Sequence, residues 1–341
     1  MTKIRMAQYG TKHGHAGGKL LSMLKNPDVE VVGVYEPDPK RREAAIASRE
    51  EQYKQVHWFD DLDEIVSDPS IVAVSSEGLN SESLLQTEEL VNAGKHVWYD
   101  KPAGDNWADY QRMIAAVQKK GVYLQMGYMF RYHLGFCQVA EWAKSGLLGD
   151  IFSVRAHMST SLNQSQREVI SEHYGGILFD LGGHMLDQVC WLLGRPNRVT
   201  SFLHNHGGMV PAFKDNTLGV FEFDQALAFI DIAAMEARPM ARRFEVYGSQ
   251  GTAIIVEPFE PAHTLRLTLE KAAGGYEKGV TMIPVQEQHR QAMYDRELEA
   301  FVRVLRGEQA PDRPLEHEIV VQETLLRATG GIVDSVSSCY D

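Results

Sequence analysis

The sequence predicts two domains of different class, an α/β domain with a doubly wound parallel sheet followed by an α+β domain with a large, mainly antiparallel sheet. The chain has 341 residues, and at about 150 residues per domain this length suggests two domains. Its first third alternates short β-branched apolar runs with stretches of helical period, which is typical of βαβ units. From about residue 150 onward, longer segments alternate apolar and polar residues, which indicates an antiparallel sheet with one packed face. We place the two domains at residues 1–123 and 124–341.

The first domain is predicted to contain five strands separated by helices. The strands are Ile4–Tyr9, Val29–Tyr35, Ile71–Ser75, His96–Tyr99 and Val122–Met126. The helices are Gly17–Leu24, Lys40–Tyr53, Leu62–Val66, Glu82–Ala93 and Ala108–Lys120. Gly94 follows one of these helices, as a C-terminal cap should. These elements are those of a Rossmann domain.

The second domain is predicted to contain strands and a few helices. The alternating segments lie at 151–159, 198–206, 217–224, 227–236, 242–257 and 264–271. The predicted helices are Gly135–Ser145, Leu181–Leu193 and Met293–Leu305. Strands that follow βαβ units in this way indicate a separate α+β domain. An apolar face on its sheet predicts that the chain forms a homodimer or a homotetramer.

Composition and charge exclude several classes of function. The 34 Lys and Arg residues stand against 46 Asp and Glu residues, and the net charge of −12 would repel a nucleic acid backbone. Three cysteines without a CxxC spacing predict neither a disulfide framework nor a zinc knuckle. The first residues lack the apolar stretch of a signal peptide, and no apolar run is long enough to span a membrane. We therefore expect a cytoplasmic protein with neither nucleic acid nor membrane as a partner.

A glycine-rich turn between the first strand and the first helix suggests a dinucleotide site. Its glycines are Gly10, Gly14, Gly17 and Gly18, in the spacing GxxxGxxG. Glycine lets a pyrophosphate approach the backbone at a helix N-terminus. We expect the cofactor to contact Gly10, Thr11, Lys12, His13, Gly14 and His15. Glu36 at the end of the second strand could accept both ribose hydroxyls and would repel a 2′-phosphate, which favours NAD over NADP.

Two other patterns carry candidate catalytic groups. Lys101 follows the strand His96–Tyr99 at its carboxyl end, where open α/β sheets bind ligands. Asp180, His184 and Asp187 share one face of a helix, where a carboxylate could orient the imidazole. Ordinary explanations stay open, namely a surface lysine in a turn and a buried histidine satisfied by Asp180. A metal bound there, or at His204-Asn205-His206, is a minority possibility, because spacing fixes no third ligand.

In this order, the motifs resemble those of the Gfo/Idh/MocA oxidoreductases. The matching motifs are the glycine turn, the acid after strand two, the Lys-Pro pair at Lys101, GYMFRYH at Gly127–His133, the GGxxxDxxxH that ends at His184, and EVYGSQGT. The resemblance implies that Lys101, Asp180 and His184 are catalytic. It also implies that Ser75 and Ser76 lie near the nicotinamide. Asp100 replaces the usual Glu of the family's Glu-Lys-Pro, and the glycine turn is one residue longer.

Together, the motifs and the resemblance predict an NAD-dependent oxidoreductase that acts on a hydroxyl of a sugar, polyol or sugar derivative. His184 would be the base, because an imidazole ordinarily titrates near neutral pH. Lys101 would hydrogen-bond the reacting oxygen. The predicted substrate residues are Tyr99, Tyr128, Arg131, Tyr174 and Asp187. A redox-neutral glycosidase or lyase that uses the same cofactor, or a ligand-binding protein on the same fold, are the alternatives.

Overall fold

The computed structural model describes residues 2–333 and divides the chain into two compact units. The first unit contains the residues up to Met129 together with Arg290–Leu315. Its strands are β1 (Ile4–Tyr9), β2 (Val29–Tyr35), β3 (Ala73–Ser76), β4 (His96–Tyr99) and β5 (Leu124–Met126). Its first helices are α1 (Ala16–Lys25), α2 (Pro39–Ala47), α3 (Asp63–Val66), α4 (Ser83–Asn92) and α5 (Trp107–Lys120).

The five strands form one parallel sheet in the order β2-β1-β3-β4-β5. The chain leaves β1 toward β2 on one side and then crosses to β3 on the other side, so the direction of winding reverses between β1 and β3. Open α/β sheets bind ligands outside the carboxyl ends of the strands at such a point. The predicted Rossmann class is confirmed for this unit, and its ligand edge carries the turn after β1 and the residues after β3 and β4.

One predicted helix of the first unit is two shorter elements in the structure. The interpretation of Lys40–Tyr53 as a single helix is wrong, because α2 ends at Ala47 and a short 3₁₀ helix covers Glu51–Lys54. Asp38 caps α2 by accepting hydrogen bonds from the backbone of Lys40 and Arg41. Ser48 has an extended backbone and ends the helix.

The second unit contains Phe130–His289 and the residues from Glu316 onward. Its strands are β6 (Ile151–His157), β7 (Arg198–His204), β8 (Asn216–Glu222), β9 (Leu227–Ala233), β10 (Arg243–Gly248), β11 (Gly251–Ile255), β12 (Thr264–Leu269) and β13 (Gly279–Pro284). Its helices are α6 (Leu134–Lys144), α7 (Gln164–Ile170), α8 (Ile177–Leu193) and α10 (Leu315–Thr329). The sheet order is β13-β12-β11-β10-β6-β9-β8-β7. All pairs are antiparallel except β6 with β9, which confirms the predicted mainly antiparallel sheet.

Side chains of this large sheet alternate between a buried and a more exposed face. Helices α6 and α8 pack on the buried face. Phe202, Val280 and Met282 are among the exposed apolar side chains of the other face. Alternation of this kind is expected when only one face is covered by the same chain.

Helix α9 (Arg290–Leu305) belongs to the first unit. The predicted domain boundary had assigned every residue after 123 to the second domain. In the structure α9 packs against α1, and its residues Leu298, Phe301 and Val302 join the core of the first unit. Each such buried apolar side chain contributes about 1.5–3 kcal/mol to the stability of the fold. The first unit is therefore completed by a segment that follows the second sheet in sequence.

No helix within residues 2–333 is both long enough and apolar enough to cross a lipid bilayer.

Candidate functional site

The turn between β1 and α1 is held against the end of β3. Gly10 has a φ of +86°, and a Cβ on it would lie 2.6 Å from the backbone nitrogen of Gly78, so only glycine fits there. The backbone N–H groups of Lys12 and His13 donate hydrogen bonds to the carbonyl of Glu77 at 3.2 and 3.0 Å. These contacts fix the turn at the ligand edge of the sheet.

Gly14 lies where the turn is open, because no heavy atom comes within 4 Å of a Cβ built on it. Beside the turn is a cavity of about 410 Å³. Its lining residues are Thr11, Lys12, Lys40, Arg41, Ala44, Ala45, Ser48, Glu50 and Tyr53. A backbone that is open at a glycine, next to a cavity lined by cationic side chains, fits the pyrophosphate of a dinucleotide.

Glu36 follows β2 and is buried, as the predicted ribose-binding carboxylate should be. Its Oε2 accepts hydrogen bonds from the backbone N–H and the hydroxyl of Thr11 at 2.9 and 2.8 Å. Nearby, Arg41 makes a two-pronged ion pair with Glu82, at 2.8 and 2.9 Å. Glu36 is thus oriented by the turn, while the guanidinium closest to it is engaged by another carboxylate.

Ser75 and Ser76 at the end of β3 are fully buried. The Ser75 hydroxyl donates to Glu77 at 2.7 Å, and the Ser76 hydroxyl pairs with that of Thr87 at 2.8 Å. Both hydroxyls are engaged inside the unit, and the predicted contact of the two serines with a cofactor stays a prediction. Glu77, the next residue, is the group that reaches the ligand edge.

The two histidines of the turn converge on Asp100, the residue after β4. Nδ1 of His15 lies 3.0 Å from Oδ2 of Asp100, and Nδ1 of His13 lies 3.2 Å from the same oxygen. Burial lowers the pKa of His15 to about 3, although Asp100 acts in the opposite direction, so this imidazole is neutral at pH 7. The three donor atoms lie within 4.8 Å of one another, a spacing that could surround a metal ion.

Lys101, the predicted catalytic lysine, directly follows Asp100 and is itself buried. Its backbone N–H donates to Oδ1 of Asp100 at 2.8 Å. Tyr99, on the other side of Asp100, is a core residue whose hydroxyl pairs with that of Ser83 at 3.1 Å. Tyr128 is also buried, and the predicted contacts of Tyr99 and Tyr128 with substrate stay predictions.

Helix α8 of the second unit begins after two glycines that no other residue could replace without strain. Gly176 has a φ of +53°, and a Cβ there would lie 2.4 Å from the carbonyl oxygen of Lys214. Asp180 lies in the first turn of α8 and is partly exposed, where the helix dipole favours a carboxylate. His184 is 2% exposed, and its ring meets that of Phe130 edge to face at 5.1 Å.

Asp187 belongs to a buried ionic cluster of the second unit. It accepts hydrogen bonds from Arg131 at 2.9 Å and lies 2.8 Å from Nε2 of His317. The two guanidinium ends of Arg131 donate to Glu318 at 2.7 and 2.5 Å. Asp187 is 0% exposed and Arg131 is 6% exposed. Arg131 is thus paired with two carboxylates inside the unit, and the predicted contacts of Arg131 and Asp187 with substrate stay predictions.

Two other predicted positions lie on the surface. Tyr174 is 70% exposed, and its role as a substrate residue stays a prediction. The rings of His204 and His206 stack with an interplanar angle of 3° and a centroid distance of 5.2 Å. His206 also lies 2.9 Å from the side-chain amide of Asn216.

Sequence reasoning missed several groups that the fold brings to these sites. Lys19 follows the glycine turn on α1 and looks in sequence like an ordinary helix lysine, but it is 0% exposed. His317 and Glu318 follow Asp187 by 130 or more positions, so no local pattern could pair them. The unusual Asp in Asp100-Lys101-Pro102 was the one available signal, since a shorter acid leaves space that another group must fill.

Two family models match the chain. The model described as "Oxidoreductase family, NAD-binding Rossmann fold" matches residues 5–128. The model described as "GFO/IDH/MocA C-terminal domain" matches residues 136–254. Together the two matches extend over well over half of the 341 residues.

Individual proteins are similar at lower identity. The chain is 28% identical over 208 residues to scyllo-inositol 2-dehydrogenase (NADP(+)) IolW of Bacillus subtilis, over 58% of this chain and 54% of that protein. It is 24% identical over 254 residues to 1,5-anhydro-D-fructose reductase of Ensifer adhaerens, over 73% of this chain and 74% of that one. The chain thus spans about half the length of the first relative.

A solved structure shares the fold over almost the whole chain. It is an oxidoreductase from Agrobacterium radiobacter in complex with NAD+, L-tartaric acid and magnesium. The TM-score is 0.82 at 16% identity, and the match covers 97% of this chain and 96% of that one. At this identity the likeness establishes the fold alone.

Proposed function

Because the chain belongs to the Gfo/Idh/MocA family of oxidoreductases with an NAD-binding Rossmann fold, we propose that it oxidises or reduces a hydroxyl-bearing carbon of a sugar, polyol or sugar derivative with NAD. The observation that carries the proposal is the turn at Gly14, which is open to a pyrophosphate and lies beside the buried carboxylate of Glu36. Two relatives are named for an inositol dehydrogenase and an anhydrofructose reductase, which supports a polyhydroxylated substrate.

The side chains around Glu36 support NAD rather than NADP. A carboxylate at the end of β2 accepts ribose hydroxyls and repels a 2′-phosphate. Arg41 would be the natural partner of such a phosphate, but its guanidinium is held by Glu82. Because the Bacillus subtilis relative is named for NADP(+), this preference is a property of the present chain that binding experiments must test.

Each part of the proposed site has a distinct role. Gly10 and Gly14 with the neighbouring turn residues Thr11, Lys12, His13 and His15 would hold the pyrophosphate, and Glu36 would hold the ribose. When bound, the nicotinamide accepts or returns a hydride. We assign His184 to accept the proton of the substrate hydroxyl, Lys101 to hydrogen-bond the reacting oxygen, and Asp180 to orient His184 or bind a neighbouring hydroxyl.

The exposed apolar residues of the large sheet support a proposal about assembly. Phe202, Val280 and Met282 are each at least half exposed, and they lie on the face of the large sheet opposite to the one that α6 and α8 cover. Phe202 lies on the β7 edge of this face, and Val280 and Met282 lie on the β13 edge. We take exposed apolar side chains at both edges as a sign of a contact surface. We propose that this face joins copies of the chain into a dimer or tetramer.

The function is tested by incubating the full chain with NAD+ and a series of inositols, sugars and sugar acids while recording the absorbance of reduced nicotinamide. We expect turnover with at least one polyhydroxylated compound. Lys101→Met and His184→Asn should each reduce turnover by about 10²-fold or more, since each removes a proton-handling group, and both should still bind NAD+. His204→Asn, which changes an exposed histidine, is the matched control. Turnover equal to wild type in both site variants would contradict the assignment.

A further inference from the structure

Lys19 occupies an unusual position for a lysine, because its ammonium is fully buried behind the ligand edge of the first unit. Nζ lies 3.0 Å from Oδ2 of Asp100 and 3.1 Å from Oε1 of Glu77. The same nitrogen lies 4.2 Å from the ring centroid of Trp98. One helix residue thereby forms ion pairs with the residues that follow both β3 and β4. A buried lysine is stable only when such partners compensate for its lost hydration.

The carboxylate of Asp100 connects Lys19 to the parts of the proposed site. Its Oδ1 accepts the backbone N–H of Lys101, and its oxygens contact Nδ1 of His15 at 3.1 and 3.0 Å. Nδ1 of His13 lies 3.2 Å from Oδ2. Asp100 therefore touches the glycine turn, helix α1 and the backbone of the predicted catalytic lysine at once.

The ion pair packs closely against the backbone at Gly127. A Cβ built on Gly127 would lie 2.9 Å from Oδ1 of Asp100 and 2.9 Å from Nζ of Lys19. A glycine at this position is consequently needed to accommodate the ion pair. The positions of the carboxylate and the ammonium are set by packing as well as by charge.

We propose that Lys19 is a positioning residue, which through Asp100 holds the histidines of the glycine turn and the backbone of Lys101 in the arrangement that binds the cofactor. The inference rests on the proposed function, because it concerns the same dinucleotide site. It assigns a role to a side chain that is buried away from any ligand. Removing the ammonium should therefore weaken cofactor binding without removing a cofactor contact.

A metal ion at His13, His15 and Asp100 is the competing explanation. The three donor atoms are suitably spaced. However, a metal would share Oδ2 of Asp100 with the ammonium of Lys19, which lies 3.0 Å from that oxygen. Two adjacent positive centres in a buried site repel each other strongly. The observations therefore favour Lys19 as the cation of this cluster.

The protonation of Asp100 should make NAD+ affinity depend on pH, an effect that a loss of stability alone would not produce. Burial opposes its ionisation, but His13, His15 and Lys19 together hold its pKa well below the usual range. The other ionisable groups that act on this cluster are Glu77, Lys101, Tyr294 and Glu297. Without Lys19 the pKa of Asp100 should rise. The carboxylate would then become protonated as the pH falls, and it would lose its contacts with His13 and His15.

The experiment is a calorimetric titration of the full chain with NAD+ at several pH values, for wild type, Lys19→Met and Lys95→Met. Lys95 is the matched control, since it is also a buried lysine, but it precedes β4 and donates to the carbonyls of Asp68 and Ile71 at 2.6 and 2.9 Å. We expect Lys19→Met to bind NAD+ about tenfold more weakly. The loss should grow toward acidic pH, while Lys95→Met should match wild type.

A double-mutant cycle identifies the partner through which Lys19 acts. If Lys19 acts through Asp100, the losses in NAD+ affinity of Lys19→Met and Asp100→Asn should not add in the double variant. The losses of Lys95→Met and Asp100→Asn should add. Additive losses for Lys19 and Asp100 would overturn the proposed route.

Other outcomes separate this inference from the proposed function. NAD+ binding by wild type together with unchanged binding by Lys19→Met at every pH would overturn the inference alone, whereas no NAD+ binding by wild type would contradict the proposed function. If Lys19→Met does not fold, Lys19→Met/Glu77→Gln, which loses one charge of each sign, should show the same weakened binding, and wild-type affinity in it would overturn the inference. If metal analysis finds one zinc ion per purified chain, and His13→Gln loses it, the cluster is a metal site and the inference is overturned.

Discussion

The proposed preference for NAD depends on how single side chains near Glu36 are paired. Glu36 is oriented by Thr11, and Arg41 is held by Glu82 in a two-pronged pair. Position after β2 was enough to predict Glu36 from the sequence. The pairing of Arg41 with Glu82 could not be predicted, because the two residues are 41 positions apart and meet only when β2 and β3 are adjacent to β1.

Releasing Arg41 should change cofactor preference. In Glu82→Gln the guanidinium loses its two-pronged partner and keeps only the longer contacts with Asp38 at 3.4 Å and Glu36 at 4.0 Å. It becomes more available to a 2′-phosphate, so NADP+ affinity should rise several-fold while NAD+ affinity stays the same. Fluorescence titration with NADPH and NADH measures both. Glu88→Gln is the matched control, because Glu88 makes the same two-pronged pair with Arg112, at 2.6 and 2.6 Å, on α4 and α5. Equal NADPH affinity in the two variants would argue against a role for Arg41.

Helix α8 shows what residue spacing can and cannot predict about a site. Spacing correctly placed Asp180, His184 and Asp187 on one helix, but it could not reveal where that face points. Asp187 lies inside the unit with Arg131, whose other partner comes from α10. Long-range ion pairs of this kind are set by tertiary structure, so the sequence could not reveal that Asp187 is paired with Arg131 inside the unit.

At the scale of elements, the start of α8 depends on a backbone conformation at Gly176 that residues with a Cβ rarely adopt. Gly176→Ala should lower the free energy of unfolding by about 3 kcal/mol or more, because it adds a clash with the carbonyl of Lys214 to the strain of a positive φ. Gly194→Ala at the other end of α8 is the control. Gly194 has a φ of +80° and a ψ of −149°, a region essentially confined to glycine, but no atom lies within 4 Å of its Cβ position. Strain of about 1–3 kcal/mol without a clash is therefore expected.

Thermal denaturation followed by circular dichroism compares the two variants. A change of 1 kcal/mol shifts the melting temperature by about 2–4 °C in a domain of this size. The Gly176 variant should therefore melt clearly below the Gly194 variant. Equal melting temperatures would show that the close approach to Lys214 does not determine where α8 begins.

Elements themselves were predictable to different degrees. The β-branched runs of the first third predicted all five strands of the parallel sheet, because buried parallel strands carry continuous apolar runs. The short helix α7 and the helix α10 were not predicted. Helix α10 buries the acidic Glu318, which pairs with Arg131, beside its apolar residues Val321 and Leu325, so an acidic residue interrupts the apolar stripe in its sequence.

At the scale of the whole molecule, the chain order does not follow the spatial units. Helix α9 completes the core of the first unit, although it comes after all eight strands of the second. Its apolar stripe would fit either core, so the sequence could predict the helix but not its location. Fold class and family were nevertheless predictable, because the motifs that carry them lie at fixed places along both units.

The central claim is that the turn from Gly10 to Gly18 binds NAD. A crystal structure of the full chain grown with NAD+ tests it most directly. We predict that the pyrophosphate lies over the backbone at Gly14 and that the adenosine ribose hydroxyls reach the carboxylate of Glu36. Crystals grown with saturating NAD+ that show the dinucleotide at another place, or no dinucleotide at all, would contradict the account.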